Sequence, residues 1–194
     1  YGDKRILESI YGPAKQWLEY LYQNSAWGLL EAYAGGGKFL GDWAAPKQRK
    51  EFGGTPESFF FNNCVYAMNL ETVAQIADLL EKPDDAALYR KRLNALRKKI
   101  QKQFYDTETG LYMEGNQVQT AFPLWRKITP DSLSASVLAH FEEEFTHNHP
   151  YLNMGSSGLP VLLKFLTEEQ DFNEAMAGHL SSTDEPSYGY FLKR

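Results

Sequence analysis

The stretch Gly35-Gly36-Gly37-Lys38-Phe39-Leu40-Gly41-Asp42-Trp43-Ala44-Ala45-Pro46 sets an acid beside an indole on a glycine-rich loop. Glycine admits positive φ and close backbone approach, and Pro46 disfavours an early helix at the residue before it. Binding and catalytic groups are disproportionately carried on such loops. A carboxylate accepts hydrogen bonds from neighbouring hydroxyls, and an indole face stacks on the C–H face of a sugar ring. The same two residues could serve structure alone, Trp43 as a core plug and Asp42 as the cap of a helix. Residue type leaves both readings open.

Other groupings carry less chemistry. Gly37-Lys38 follows glycines, but Phe39 stands where a phosphate loop needs serine or threonine and no strand precedes it. Gly155-Ser156-Ser157-Gly158 lacks the spacing and the strand of a nucleophile elbow. His147-Asn148-His149-Pro150 offers two imidazoles without a third ligand in register, which reads as a surface turn and gives no metal site. Asp184-Glu185-Pro186 is an acidic pair before a turn, and adjacent carboxylates rarely converge on one spot. Cys64 has no histidine near it in sequence to activate it and reads as core. No cofactor motif is present.

Composition narrows the partner. A chain of 194 residues, 43% of them hydrophobic, can bury a core and fits one domain or a large piece of one. A formal charge of -5 without any basic run argues against nucleic acid and against an anionic membrane surface. No apolar run is long enough to span a bilayer. Cys64 is the single cysteine, so no internal disulfide can form. The 14% aromatic content suits a helical core and carbohydrate binding equally.

The elements that must position the loop are helical. Ile6, Leu7, Ile10, Tyr11, Ala14, Trp17, Leu18 and Leu21 recur at helical spacing, predicting an amphipathic helix from Arg5 to Tyr22 with one buried stripe, kinked or restarted at Pro13. Residues 23–54 are glycine-rich and aperiodic, a length usually reserved for functional loops. Thr55-Pro56 predicts a helix entry, and the run through Phe61, Val65, Met68, Leu70, Val73, Ile76, Ala77 and Leu80 predicts a long helix apolar on more than one face. Lys82-Pro83-Asp84-Asp85 reads as a turn before a second helix, Ala86 to Phe104, whose Arg90, Lys91, Arg92, Arg97, Lys98, Lys99 and Lys102 form a solvated basic stripe. A tight turn at 106–110 leads to a short extended piece at 111–113, followed by helices near Val118–Trp125, Asp131–Phe145 (capped by Asp131 and Ser132), Gly158–Leu166 and Phe172–Ala177. Alternating buried and half-exposed helices are the pattern of helical hairpins in a layered ring or solenoid.

The order of signals also resembles a known family. Tyr1-Gly2-Asp3 before a helix, Gly41-Asp42-Trp43, Gln119-Thr120-Ala121 ahead of Pro123-Leu124, Gly155-Ser156-Ser157-Gly158-Leu159-Pro160, and Pro186-Ser187-Tyr188-Gly189-Tyr190 resemble the catalytic domain of α-L-rhamnosidases, glycoside hydrolase family 78, in order and along the whole chain. The resemblance implies an all-α fold of helical hairpins from an (α/α)6 barrel, an inverting mechanism, and a terminal rhamnose held at the mouth of the ring. On it, residues 1–194 are part of one helical catalytic domain, forming an incomplete ring, since a closed ring needs roughly twice the helices placed here.

By the same resemblance, the general acid belongs to a motif ahead of Tyr1 and the general base to a Thr-Xaa-Trp-Glu motif after Arg194, so neither catalytic carboxylate is expected in this chain. Inversion requires the two carboxyl groups roughly 6.5 to 9.5 Å apart with a water between sugar and base. The expected partners are therefore a carbohydrate substrate and the rest of the parent polypeptide. Trp43 matches a tryptophan lining the sugar subsite, and Asp42 would orient the loop or accept a sugar hydroxyl; Gln119 and Tyr188 fall in motifs near the ring's centre. Two alternatives stand beside this one: a non-catalytic helical scaffold or carbohydrate-binding module, and another (α/α)6 glycosidase or lyase.

Overall fold

The computed structural model describes residues 2–26, 28–31, 38–45, 54–148, 152–168, 173–184, 190 and 192–193. Gly35 to Gly37, Pro46, His149 and residues 185–189, Tyr188 among them, lie outside the described residues. The chain forms two compact units: residues 1–40 with 53–103, and residues 41–52 with 104–194. Seven α-helices and one two-stranded hairpin are described, an all-α architecture built from helix pairs.

The first unit holds α1 (Arg5–Gln23), α2 (Pro56–Leu79) and most of α3 (Pro83–Phe104). Of the kink or restart expected at Pro13, there is no restart: Pro13 sits inside α1, one main-chain bond is forgone, and the helix runs on. The apolar periodicity of α1 also divides between two faces. Tyr11, Leu18 and Leu21 are buried, whereas Ile6, Ile10, Trp17 and Tyr20 are exposed, with the Trp17 and Tyr20 rings stacked 5.8 Å apart.

Thr55 and Pro56 open α2 as expected. The Thr55 hydroxyl accepts from the Ser58 amide and the Ser58 hydroxyl accepts from the Thr55 amide, a reciprocal cap. From Ser58 to Ala77 twelve residues of α2 are buried, Cys64 among them, and burial pushes the Cys64 thiol well above its ordinary range. Asn63, fully buried on α2, holds the loop backbone: its Oδ1 accepts from the Leu30 amide at 2.9 Å and its Nδ2 donates to the Leu30 carbonyl at 2.8 Å. The amide side chain thus pairs with Leu30 as a strand would.

Helix α3 starts three residues earlier than expected, with Pro83 opening it and Asp84 and Asp85 in its first turn. A proline followed by two acids suits a first helical turn as well as a β-turn. Asp85 accepts from the Tyr11 hydroxyl at 2.6 Å and from Lys15 at 2.7 Å, fastening α3 to α1. The basic face of α3 is likewise more than a solvated stripe. Arg90 pairs with Asp78 and Arg97 with Glu71 on α2, while Arg92 pairs with Glu19 on α1 and lies 3.9 Å from the Tyr22 ring centre. Lys91, Lys98, Lys99 and Lys102 make no ion pair with any described residue.

The second unit opens with the hairpin β1 (Tyr105–Asp106) and β2 (Leu111–Tyr112), antiparallel, whose turn at 106–110 is the one expected. Helix α4 (Gln117–Trp125) packs on α5 (Asp131–Glu143) and on α6 (Gly158–Glu168), and α7 (Asn173–Ser181) packs on α6. Asp131 and Ser132 do not cap α5: Pro130 occupies that position, which no side chain caps, and Asp131 is already the first helical residue. A π-helical turn (Glu144–Asn148) prolongs α5 and buries Phe145. Phe141, Phe145 and Phe165 form the aromatic core, with His179 of α7 stacked on Phe145 at 4.1 Å.

Candidate functional site

The acid and the indole stand where a loop meets the opening of α6. Gly41 and Ala44 both take positive φ, +68° and +63°, so the chain reverses on either side of Asp42-Trp43. Glycine adopts that conformation freely; alanine does so at a cost, and the surrounding contacts must hold it there.

Those contacts come from the segment before α6. Asp42 Oδ2 accepts from the Gly155 amide at 2.7 Å and Oδ1 from the Gly158 amide at 2.5 Å. The first turn of a helix presents amides with no partner inside the helix, and a carboxylate there is favoured by hydrogen bonding and by the helix dipole. Trp43 adds a main-chain link, its carbonyl accepting from the Ser156 amide at 2.7 Å and the Ser156 hydroxyl at 3.3 Å.

The junction has no room for side chains. A Cβ at Gly155 would lie 2.0 Å from the Trp43 carbonyl oxygen, and one at Gly158 would lie 2.6 Å from Asp42 Oδ2. These glycines are needed for close approach. The approach segment is held in turn by α4, where buried Gln117 accepts from the Asn153 amide at 3.1 Å.

Electrostatically the junction is balanced between opposing effects. Burial raises the Asp42 carboxyl above its ordinary value, and the amides of Gly155, Gly158 and Ser157 pull it down by less. The Asp42 side chain is half-buried with both oxygens engaged, whereas Trp43 keeps 40% of its surface exposed. The indole is therefore the part of this pair that meets solvent, and the carboxylate is the part that holds the loop. Each carboxylate oxygen has two lone pairs, so a further hydroxyl could still be accepted.

Gln119, the third residue of the motif set within the described region, is almost wholly buried and serves the start of α4. Its Oε1 accepts from the amides of Glu114 and Asn116 at 3.0 and 3.1 Å, and Asn116 Oδ1 accepts from the Gln119 amide at 2.9 Å. The Asn-Xaa-Xaa-Gln spacing of a capping box carried that signal in the sequence. Nothing in the sequence pointed to Gly155 and Gly158 as partners of Asp42, 113 and 116 residues away. His147 is exposed beside Glu143, and among the described residues no group of three or more His, Cys, Asp or Glu could hold a metal ion. No helix among the described residues is long and apolar enough to cross a membrane.

Comparison with known proteins follows the same lines. The family described as bacterial alpha-L-rhamnosidase 6 hairpin glycosidase domain matches residues 1–194. Among solved structures, an alpha-L-rhamnosidase from Dictyoglumus thermophilum superposes with a TM-score of 0.84 at 22% identity, covering 100% of this chain and 21% of that one. An alpha-L-rhamnosidase from Streptomyces avermitilis, solved in complex with L-rhamnose, gives a TM-score of 0.81 at 24% identity over 100% of this chain and 17% of that one. The Aspergillus terreus enzyme gives 0.83 at 22% identity, over 100% of this chain and 22% of that one. The chain thus spans about a fifth of the length of the solved structures it resembles. Curated proteins yield no match.

Proposed function

We propose, for a chain that belongs to the bacterial alpha-L-rhamnosidase six-hairpin glycosidase family, that it forms one wall of a sugar-binding pocket in an inverting glycoside hydrolase releasing terminal α-L-rhamnose. On this reading residues 1–194 are part of a single helical catalytic domain, and the proton-transferring carboxylates are supplied by other parts of the parent polypeptide. One observation carries it: Trp43 presents an exposed indole from a loop clamped at both residues of the Asp42-Trp43 pair. An exposed aromatic ring on a fixed backbone is what stacking on a sugar face requires. Its apolar surface also shields positive charge developing at the anomeric carbon from water.

Rhamnose is the sugar favoured by the family and by the ligand of the Streptomyces structure. A 6-deoxy sugar offers a methyl group and C–H faces that suit an indole. The test is kinetic. In the full-length enzyme, Trp43→Ala should lower kcat/KM on an aryl α-L-rhamnoside at least about tenfold, the loss of one aromatic contact. Unchanged kinetics would sink the pocket reading and favour a scaffold role.

A further inference from the structure

We infer that Asp42, Gly155 and Gly158 are positioning residues for Trp43: a carboxylate-to-amide clamp at the opening of α6 sets where the indole stands. The inference rests on the reading of Trp43 as the sugar-facing wall and adds the device that holds it.

Four observations converge. The residue before Trp43 is held by two amides and the Trp43 carbonyl by a third, so the backbone carrying the indole is fastened on both sides of its Cα. A backbone fixed beneath the ring lowers the ordering cost of binding a ligand against it. The clamp runs at backbone-to-backbone distance, since a Cβ at Gly155 would meet the Trp43 carbonyl oxygen at 2.0 Å and the Trp43 carbonyl carbon at 2.6 Å. Ala44 sits at φ +63° without being glycine, a strain that persists only where neighbouring contacts over-determine the loop.

A simple helix cap would not need this arrangement. Ser156 and Ser157 lie at the entrance of α6, and serine is a preferred cap residue from within its own chain segment. Ser156 instead directs its hydroxyl to the Trp43 carbonyl, and the capping acceptor arrives from a residue 116 positions away. The acceptor that serves the opening of α6 thus also fixes a distant loop.

The experiment uses the full-length enzyme labelled with 5-fluorotryptophan, the Trp43 resonance being assigned by its loss in Trp43→Phe. Asp42→Asn replaces one accepting oxygen with a donor that faces an amide, and Gly155→Ala drives a methyl into the Trp43 carbonyl. Ser156→Ala is the mild variant, removing one hydroxyl bond and leaving the backbone able to fold. Each should shift or broaden the Trp43 fluorine resonance, Ser156→Ala least.

Kinetics on an aryl α-L-rhamnoside then separate positioning from contact. Asp42→Asn should lower kcat/KM about 10- to 100-fold when Trp43 is present, as misplacement of a binding group does. In the Trp43→Ala background the same change should cost less than about twofold, because residues acting as one unit are not additive. An unmoved resonance in all three variants overturns the clamp. Full additivity in the double variant also overturns it and assigns Asp42 a direct contact with the sugar. If Trp43→Ala alone keeps full activity, the pocket reading fails, while the resonance still reports whether the clamp exists.

Discussion

Gly155 stands so close to Trp43 that any side chain at its Cα would have to pass through the Trp43 carbonyl, 2.0 Å from the Cβ position. Both partners are main chain, so no side-chain rotation relieves the clash. Gly155→Ala should therefore destabilise by about 3 kcal/mol, the upper end of ordinary overpacking. Gly158→Ala meets the Asp42 carboxylate, which can swing aside, and should cost about half as much. Thermal unfolding of the full-length protein checks the order; equal effects would mean the loop yields as a body.

The buried Asn63 amide should rank among the most sensitive positions of the first unit. Asn63→Leu removes both partners of the Leu30 backbone and leaves an amide and a carbonyl buried without bonds. Each orphaned group costs about 1–3 kcal/mol, so a loss of about 3 kcal/mol is expected. Hydrogen exchange at the Leu30 amide should accelerate more than at the amides inside α3, and uniform acceleration would contradict a local clamp.

Acid should act oppositely on two aspartates. The Lys15 and Tyr11 hydrogen bonds hold the Asp85 carboxyl below its ordinary value of 3.8. A lowered folded pKa means stability that is complete above the unfolded value and is lost as pH falls through the folded one. Asp42 is raised above 3.8 by burial, so its own titration favours the folded state as pH falls from the folded pKa to the unfolded one. Hydrogen exchange on acidification should thus open the α1–α3 contact, with no loss at the α6 entrance from Asp42. Opening at the α6 entrance alone would reverse the assignment.

His179 makes a third titration test. Burial lowers its pKa below the ordinary 6.5, outweighing the opposing pull of the nearby Phe145 main chain. The unfolded chain then binds the proton more readily, so stability is complete above pH 6.5 and falls as pH drops from there toward the folded pKa. His179→Phe keeps a ring against Phe145 and should flatten this part of the unfolding profile. A profile unchanged by that substitution would place the sensitivity elsewhere.

Legibility in the sequence followed distance along the chain. Thr55-Pro56 marked the start of α2 because a cap and its target lie three residues apart. Pro83-Asp84-Asp85 reads locally as a turn yet opens α3, where Asp85 accepts from Tyr11, 74 residues earlier, a partner no local pattern shows. The periodicity of α1 located an amphipathic helix but could not show that Ile6, Ile10, Trp17 and Tyr20 face away from the helices of the first unit. At the candidate site the types of Asp42 and Trp43 suggested chemistry, while the division of labour between them depended on amides far along the chain. The resemblance singled out Trp43 as an expectation; its contacts with Ser156, 113 residues away, left no local signal in the sequence.

The cationic residues of α3 divide by type, with Arg90, Arg92 and Arg97 bound to neighbouring helices and Lys91, Lys98 and Lys102 exposed. A guanidinium offers a planar fork where an ammonium offers a point charge, so exchanging one for the other here is not a conservative change. Acylation of Lys91, Lys98 and Lys102 should leave the first unit's frame standing, whereas dicarbonyl reagents consuming Arg92 and Arg97 should loosen all three helices. Resistance to an amine reagent combined with sensitivity to a guanidinium reagent would then be a chemical fingerprint of this helix face.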